Sequence, residues 1–178
     1  MSENVQPRIG ANVYIAPTAY VGGDVVIGDQ STLMHHVVVR GDVAPIRIGA
    51  HVGIQDGAIV HTDKGAPLEL ADDVGLGHRA VVHCRRIGRR TLIGIGAIVL
   101  DDCEIGSCCV IAAGTVVPPG TIVPDGSVVM GVPGKRVRDV TGRDLAAIDE
   151  VIQSYLDLNR LHTANRYPNI AKSHPNAH

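Results

Sequence analysis

The stretch IGRRTLIGIGAIVLDDCEIGSCCVIAAGTVVPPGTIVPDGSVV, residues 87–129, has an aliphatic residue at every sixth position without a break. These residues are Ile87, Ile93, Val99, Ile105, Ile111, Val117, Val123 and Val129. Neither the 3.6-residue period of a helix nor the two-residue alternation of a half-buried strand gives this spacing. A fixed six-residue repeat is typical of parallel β-helices, and it therefore predicts a mainly β fold of that kind.

The same period extends back to the start of the chain with two interruptions, at residues 45–47 and at about residues 62–69. The earlier aliphatic positions are Ile9, Ile15, Val21, Ile27, Leu33, Val39, Ile48, Ile54, Val60, Leu70, Leu76 and Val82. Glycine often follows the aliphatic residue, and a small or β-branched residue often comes four positions after it. We predict that three hexads close one triangular turn, with aliphatic side chains inward and glycines allowing a tight backbone at the corners.

The composition agrees with a narrow interior and excludes several classes of partner. The chain is 45% hydrophobic, yet it has no Phe, no Trp and four Tyr, so small aliphatic side chains must fill the core. The net charge is −2 with both signs mixed, which predicts no nucleic-acid partner. No apolar run approaches the ~18 residues of a membrane span. With a polar start to the chain and no CxxC pair, we expect a cytoplasmic protein.

The period changes after residues 131–135. Apolar residues then recur at spacings of three and four, and they are Leu145, Ile148, Ile152 and Tyr155. Thr141 is placed as the N-cap of a helix over about 142–162, with Asp144 supporting its first turn. The predicted organisation is a β-helix domain at 1–135, a helical segment packed on the prism at 136–163, and an extended tail at 164–178.

Counting hexads places the histidines in columns. Arg40, His61 and His83 each follow an aliphatic residue on the same face of successive turns, so they should stack about 4.8 Å apart. Two imidazoles at that spacing can bind one metal ion. A second column, on another face, contains His35, Asp56 and His78. If prisms associate around a three-fold axis, His78 of one subunit can face the His61 and His83 pair of its neighbour.

Several motifs resemble the γ-class carbonic anhydrase family over most of the chain. They are Val39-Arg40-Gly41-Asp42, Ile54-Gln55-Asp56-Gly57, the single His61, Gly77-His78-Arg79-Ala80-Val81-Val82-His83, and Gly131-Val132-Pro133-Gly134-Lys135. The combination is specific, whereas Gly-Val-Pro-x-Lys alone is also found in hexapeptide acyltransferases. Known hexapeptide-repeat proteins of this kind are left-handed, so we expect a left-handed parallel β-helix with a C-terminal α-helix.

The resemblance implies a homotrimer that hydrates CO2 reversibly to bicarbonate. Each metal would be bound by His61 and His83 of one subunit and by His78 of another. Zinc is the expected ion, with Fe²⁺ or Co²⁺ as alternatives, and it would lower the pKa of a bound water to ~7. The family's catalytic residues correspond to Arg40, Asp42, Gln55 and Asp56. Arg40 is expected to pair with an acidic residue across the interface, and Gln55 is expected to orient the water.

The chain departs from the family at three places. Residues 62–69 are shorter than the acidic loop that carries a proton-shuttle glutamate in other members, and contain only two carboxylates, Asp63 and Glu69. Gly53 stands where Asn is common. Cys84 follows His83 directly, and an outward-pointing thiol is the expectation, with a fourth metal ligand or an oxidation-sensitive thiol as the alternatives.

Two other functions stay open at this point. One is an acyl-CoA-acting enzyme on the same fold, either an acyltransferase or a thioesterase; the acyltransferase would carry a catalytic histidine on a long loop. The other is a metal-binding trimer without catalysis. Tyr155 is expected to pack against the prism, with contact to the pocket as the alternative.

Overall fold

The computed structural model describes residues 5–169 and confirms the parallel β-helix, with about seven turns and one helix. The strands are β1 (Arg8–Ile9), β2 (Tyr14–Ile15), β3 (Tyr20–Ile27), β4 (Thr32–Leu33), β5 (Val38–Ile48), β6 (Gly53–Ile54), β7 (Ile59–Val60), β8 (Leu68–Leu70), β9 (Gly75–Leu76), β10 (Val81–Val82), β11 (Arg86–Ile87), β12 (Leu92–Ile93), β13 (Ile98–Val99), β14 (Glu104–Ile105), β15 (Val110–Ile111), β16 (Val116–Val117), β17 (Ile122–Val123), β18 (Ser127–Met130) and β19 (Lys135–Asp139). The helix α1 spans Gly142–Thr163.

The strands form three faces. One face is an eight-stranded sheet in the order β19-β18-β15-β12-β9-β6-β4-β2. The other two faces belong to an 11-stranded sheet that is joined through the long strand β5. The start of β5 pairs with β7, while its end at residues 46–48 pairs with β8, so the strand passes from one face to the next.

The aliphatic residues of the repeat fill the interior, as predicted. Every one of them from Ile27 to Val129 is buried. They stack in register along the axis, for example Val60 on Val82 and Val82 on Val99. Ile9 is 44% exposed because it lies in the first turn, where no preceding turn covers it.

The glycines after the aliphatic residues have a different role from the one expected. A Cβ on Gly77 would lie 2.6 Å from the backbone nitrogen of Ile95 in the next turn, so this glycine is required by close packing between turns. The backbone conformation with positive φ, which turns the chain at a corner, occurs instead at the residue three positions after the aliphatic one. Non-glycine residues such as Arg79 (φ 57°) and Asp102 (φ 56°) occupy several of these corners.

The segment after the last turn contains a strand that the sequence pattern did not show. Strand β19 pairs antiparallel with β18, with Lys135 opposite Met130. It covers the edge of the eight-stranded sheet, whose backbone groups would otherwise lack partners. The predicted helical segment at 136–163 therefore begins with most of a strand. Of the predicted tail at 164–178, residues 170–178 lie outside the described part of the chain.

The helix begins and ends within one residue of its predicted bounds. Thr141 is the N-cap and forms a capping box with Asp144. The helix packs against β2, β4, β6 and β9, the lower part of the eight-stranded sheet. Its buried residues are Ile148, Ile152, Tyr155 and Asn159, and the Asn159 amide donates hydrogen bonds to the carbonyls of Asn12 and Ser31. No helix among residues 5–169 has an apolar stretch that could cross a membrane.

The Asp144 carboxylate at the helix N-terminus should make the stability of the fold fall as the pH becomes acidic. Hydrogen bonds from the Arg138 guanidinium, and then from Thr141, hold the pKa of Asp144 well below its usual range. Because the folded pKa is depressed, this contribution is present above the unfolded pKa of about 4 and is lost as pH falls toward the folded value. We expect Asp144→Asn to lower the melting temperature at pH 7, and the gap from wild type to shrink between pH 4 and 2. Glu150→Gln on the same helix is the control, and a gap independent of pH would contradict the explanation.

Candidate metal centre

The predicted column of Arg40, His61 and His83 is present. Val39 of β5 pairs with Val60 of β7, and Val60 pairs with Val82 of β10, so the residues that follow them stack. The His61 Nδ1 and His83 Nε2 atoms lie 3.2 Å apart. Two imidazole nitrogens bound tetrahedrally to one ion at 2.0–2.1 Å would be separated by about 3.3 Å. The pair thus has the separation that a shared metal ion needs.

Carboxylates surround this column. Asp42 lies 2.5 Å from Arg40 Nη1 and 3.1 Å from His61 Nε2, so it links the two residues within one chain. The hydrogen bond from Arg40, reinforced by His61, lowers the pKa of Asp42 against the opposing effect of desolvation. Whether Arg40 also bridges an interface stays a prediction, because its partner here belongs to its own chain.

Asp101 is a site residue that the sequence pattern did not single out. Its Oδ1 atom lies 2.5 Å from His83 Nδ1, on the side of the imidazole away from His61. Asp101 follows His83 by 18 residues, one more than the 17 residues of this turn, in which Val82 pairs with Val99. That spacing was the available signal, because it places Asp101 on the next turn beside His83.

The second predicted column is on a different face. The Gly57 amide donates to the His35 carbonyl, and the Arg79 amide donates to the Asp56 carbonyl, so these corners stack along the axis. His78 Nδ1 lies 3.1 Å from Asp56 Oδ2. His78 belongs to the corner after β9, in the eight-stranded sheet, whereas His83 follows β10 in the other sheet.

The three candidate histidine ligands do not meet within one chain. Among residues 5–169, the three side chains whose ligand atoms lie within 4.8 Å of one another are Asp63, His83 and Asp101. That group contains neither His61 nor His78. A centre made of the three histidines would therefore need a second subunit, and that arrangement stays a prediction.

A cavity of about 390 Å³ lies beside His78, between the eight-stranded sheet and the helix. Gln55 and Tyr155 line it together with apolar side chains such as Ile95. Tyr155 is buried beside Gln55; desolvation raises the pKa of its phenol to about 12, and the Gln55 side chain partly offsets that rise. The tyrosine both packs against the prism and reaches the pocket, so the alternative reading of Tyr155 is correct as well.

Gly53 provides the space for this tyrosine. A Cβ at Gly53 would lie 1.8 Å from Tyr155 Cδ2, and the ring therefore occupies the position of any larger side chain there. The departure from the common Asn at this position follows from packing. Because Gly53 has no side chain, strand β6 contributes no polar group to the pocket at this position. The phenol of Tyr155, from the helix, is the polar group there instead.

The cysteine and arginine after His83 face in opposite directions. Cys84 is buried in the core, so the expectation of an outward-pointing thiol is wrong. Burial raises the pKa of its thiol to about 12, and Cys84 therefore stays protonated and is unsuited to bind a metal or react. Arg85 points outward and pairs with Asp102 at 2.8 Å. Cys103 and Cys109 are in the core, as expected.

The chain is similar to proteins of several names. A family model for dynactin subunit 5 matches residues 2–160. A carbonic anhydrase from Geobacillus kaustophilus is 40% identical over 158 residues, covering 89% of this chain and 87% of the relative. The mitochondrial gamma carbonic anhydrase 2 of Arabidopsis thaliana is 34% identical over 89% of this chain and 59% of its own length. The structure of a hexapeptide transferase family protein from Anaplasma phagocytophilum matches with a TM-score of 0.84 and 31% identity, over 89% of this chain and 93% of that one.

Proposed function

Because this chain belongs to the γ-class carbonic anhydrase family and to the family that the dynactin subunit 5 model describes, we propose that it is a zinc-dependent carbonic anhydrase. It works as a homotrimer, with one centre at each interface. The observation that carries the proposal is the 3.2 Å separation of His61 Nδ1 and His83 Nε2. His78 lies on another face of the prism, from which it would serve the centre of a neighbouring subunit. Fe²⁺ or Co²⁺ could occupy the same three-imidazole site.

The residues present fit a divalent metal ion. His61 and His83 would hold the ion from one subunit and His78 from its neighbour, leaving a position open for water. A bound ion would supply a water nucleophile at neutral pH. Asp42 binds Arg40 and His61, and Asp56 binds His78, so each carboxylate fixes the orientation of a side chain at the centre.

The pocket beside His78 has the properties that CO2 and its hydration require. Apolar side chains, among them Leu92 and Ile95, line most of its surface, which suits a small apolar molecule. Gln55 provides the polar group that orients the attacking water, and the Tyr155 hydroxyl holds Gln55 in place. With a pKa near 12, Tyr155 remains a neutral phenol over the working pH range.

Tyr155→Phe should lower catalysis with little effect on folding. The substitution keeps the ring in the space above Gly53 but removes the hydroxyl, and with it the hydrogen bond that we propose between Tyr155 and Gln55. The loss of one such bond is about 1 kcal/mol, which corresponds to a fall in kcat/KM of roughly fivefold. Stopped-flow CO2 hydration measures the fall, and Tyr14→Phe, whose ring stacks on His162, is the control. Equal kcat/KM for both variants would show that the hydroxyl does not support the reaction.

The direct test of the function is stopped-flow CO2 hydration by anaerobically purified protein of known metal content. Acyl-CoA hydrolysis and acyl transfer are assayed on the same preparation. We expect CO2 hydration that scales with bound metal and no turnover of acyl-CoA. Full metal occupancy without hydration would overturn the proposal, and acyl-CoA turnover would favour the acyl-CoA enzyme instead.

A metal-binding trimer without catalysis is the second candidate. Two observations favour it. The chain matches the dynactin subunit 5 model, and the segment at 62–69 is shorter and less acidic than the loop expected in other family members. Within that segment Asp63 lies beside His83, whereas Glu69 lies in β8 on another face. This candidate predicts metal binding and trimers but no hydration above background.

A further inference from the structure

We propose that Asp101 is a positioning residue that holds the imidazole of His83 in the tautomer that presents Nε2 to the metal. The inference rests on the proposed metal centre and adds a residue to it. Its starting point is the 2.5 Å separation between Asp101 Oδ1 and His83 Nδ1.

The geometry determines which ring nitrogen carries the proton. An ionised carboxylate only accepts hydrogen bonds, so His83 Nδ1 must donate to Asp101. The Nε2 atom of the neutral ring then has its lone pair free, and it is this atom that lies 3.2 Å from His61 Nδ1. A carboxylate behind a metal-binding histidine fixes the ring orientation and makes the ligand more basic.

The other two histidines have the same arrangement. A carboxylate oxygen of Asp42 lies 3.1 Å from His61 Nε2, and one of Asp56 lies 3.1 Å from His78 Nδ1. Each histidine thus has one ring nitrogen within hydrogen-bond distance of a carboxylate, and its other ring nitrogen is the one that can bind the metal. Asp42 also binds Arg40, whereas the hydrogen bond that the Asp101 side chain forms within residues 5–169 is the one to His83. A change at Asp101 therefore reports on His83 without disturbing the arginine.

The backbone holds Asp101 beside His83 independently of its side chain. The His83 amide donates to the Val99 carbonyl at 2.9 Å, and the Asp101 carbonyl accepts from the Gly120 amide at 2.8 Å. The Asp101 side chain is about half exposed, at 47%. Replacing it removes a charge and a hydrogen bond but no core packing.

Metal affinity tests the inference without relying on turnover. The apoprotein and its variants compete with a chromophoric chelator for Co²⁺, and the Co²⁺ absorption spectrum reports on the ligands. Loss of such an outer partner costs roughly 10–100-fold in affinity, which is the range expected for Asp101→Ala. Asp101→Asn keeps a carbonyl acceptor for the Nδ1 proton and should lose less. Asp102→Asn changes the neighbouring carboxylate, which pairs with Arg85, and should bind Co²⁺ like the wild type.

Three outcomes overturn the inference and can be told apart. Equal affinities for Asp101→Ala and Asp102→Asn would show that the carboxylate does not support His83. If Asp63→Asn weakened binding as much as Asp101→Ala, the ion would be bound by the acidic side chains themselves. Wild-type affinity no higher than that of His61→Ala would overturn the metal centre and this inference together.

Discussion

Trimers assembled from a mixture of His78→Ala and His61→Ala subunits should recover about a quarter of wild-type CO2 hydration, although neither variant is active alone. Each centre takes His61 and His83 from one subunit and His78 from the next. A His78→Ala subunit still supplies the first pair, and a His61→Ala subunit still supplies His78. In a random equal mixture, about one interface in four joins the two in the productive order.

A matched mixture separates shared ligands from a general effect of mixing. His61→Ala and His83→Ala subunits both lack a ligand from the same column, so no interface between them is complete and no recovery is expected. The subunits are mixed under denaturing conditions, refolded, and checked for mixed trimers by mass spectrometry. Recovery in both mixtures, or in neither, would contradict ligands supplied by two subunits.

Gly53→Ala should destabilise the fold by about 1–3 kcal/mol, the usual cost of adding atoms to a packed core. The new Cβ would overlap the Tyr155 ring, since it would lie 1.8 Å from Cδ2. The ring is buried between the helix and the sheet, and the new Cβ would push it away from the sheet. The strain should therefore displace the helix locally, and chemical denaturation should show a lower free energy of unfolding.

Two glycines and a double variant test whether this effect arises from contact with Tyr155. A Cβ on Gly75 would lie 3.1 Å from the same ring, so Gly75→Ala should cost less, and Gly142→Ala, where the space is open, should be nearly neutral. In a Tyr155→Ala background the ring is gone, and Gly53→Ala should lose most of its cost. An unchanged cost in that background would show that the strain lies elsewhere.

Much of the fold could be predicted because the repeat has one period and one simple rule. Aliphatic residues six apart determine the strands, and counting three hexads per turn determines which residues stack. The column of Arg40, His61 and His83 follows from that count without any knowledge of side-chain contacts. The helix was also predictable, because Thr141 and Asp144 form a local capping motif that does not depend on the rest of the structure.

The features that could not be predicted depend on departures from the regular repeat or on contacts between distant segments. The step from Val82 to Ile87 is one residue short, and Cys84 rather than either of the two arginines after it lies in the core. Strand β19 pairs only because a sheet edge is available at the end of the prism. The fit of Tyr155 over Gly53 joins residues about a hundred positions apart, so neither residue indicates it alone.

Titration of the apoprotein trimer with Zn²⁺, with CO2 hydration followed at each step, tests whether the shared three-histidine centres are catalytic. Trimers are verified by light scattering, and metal is counted per chain. We expect hydration to rise in proportion to bound zinc and to saturate at about one ion per subunit, since each proposed interface contains one three-histidine centre. Saturation of the trimer with zinc at that stoichiometry without CO2 hydration would contradict it.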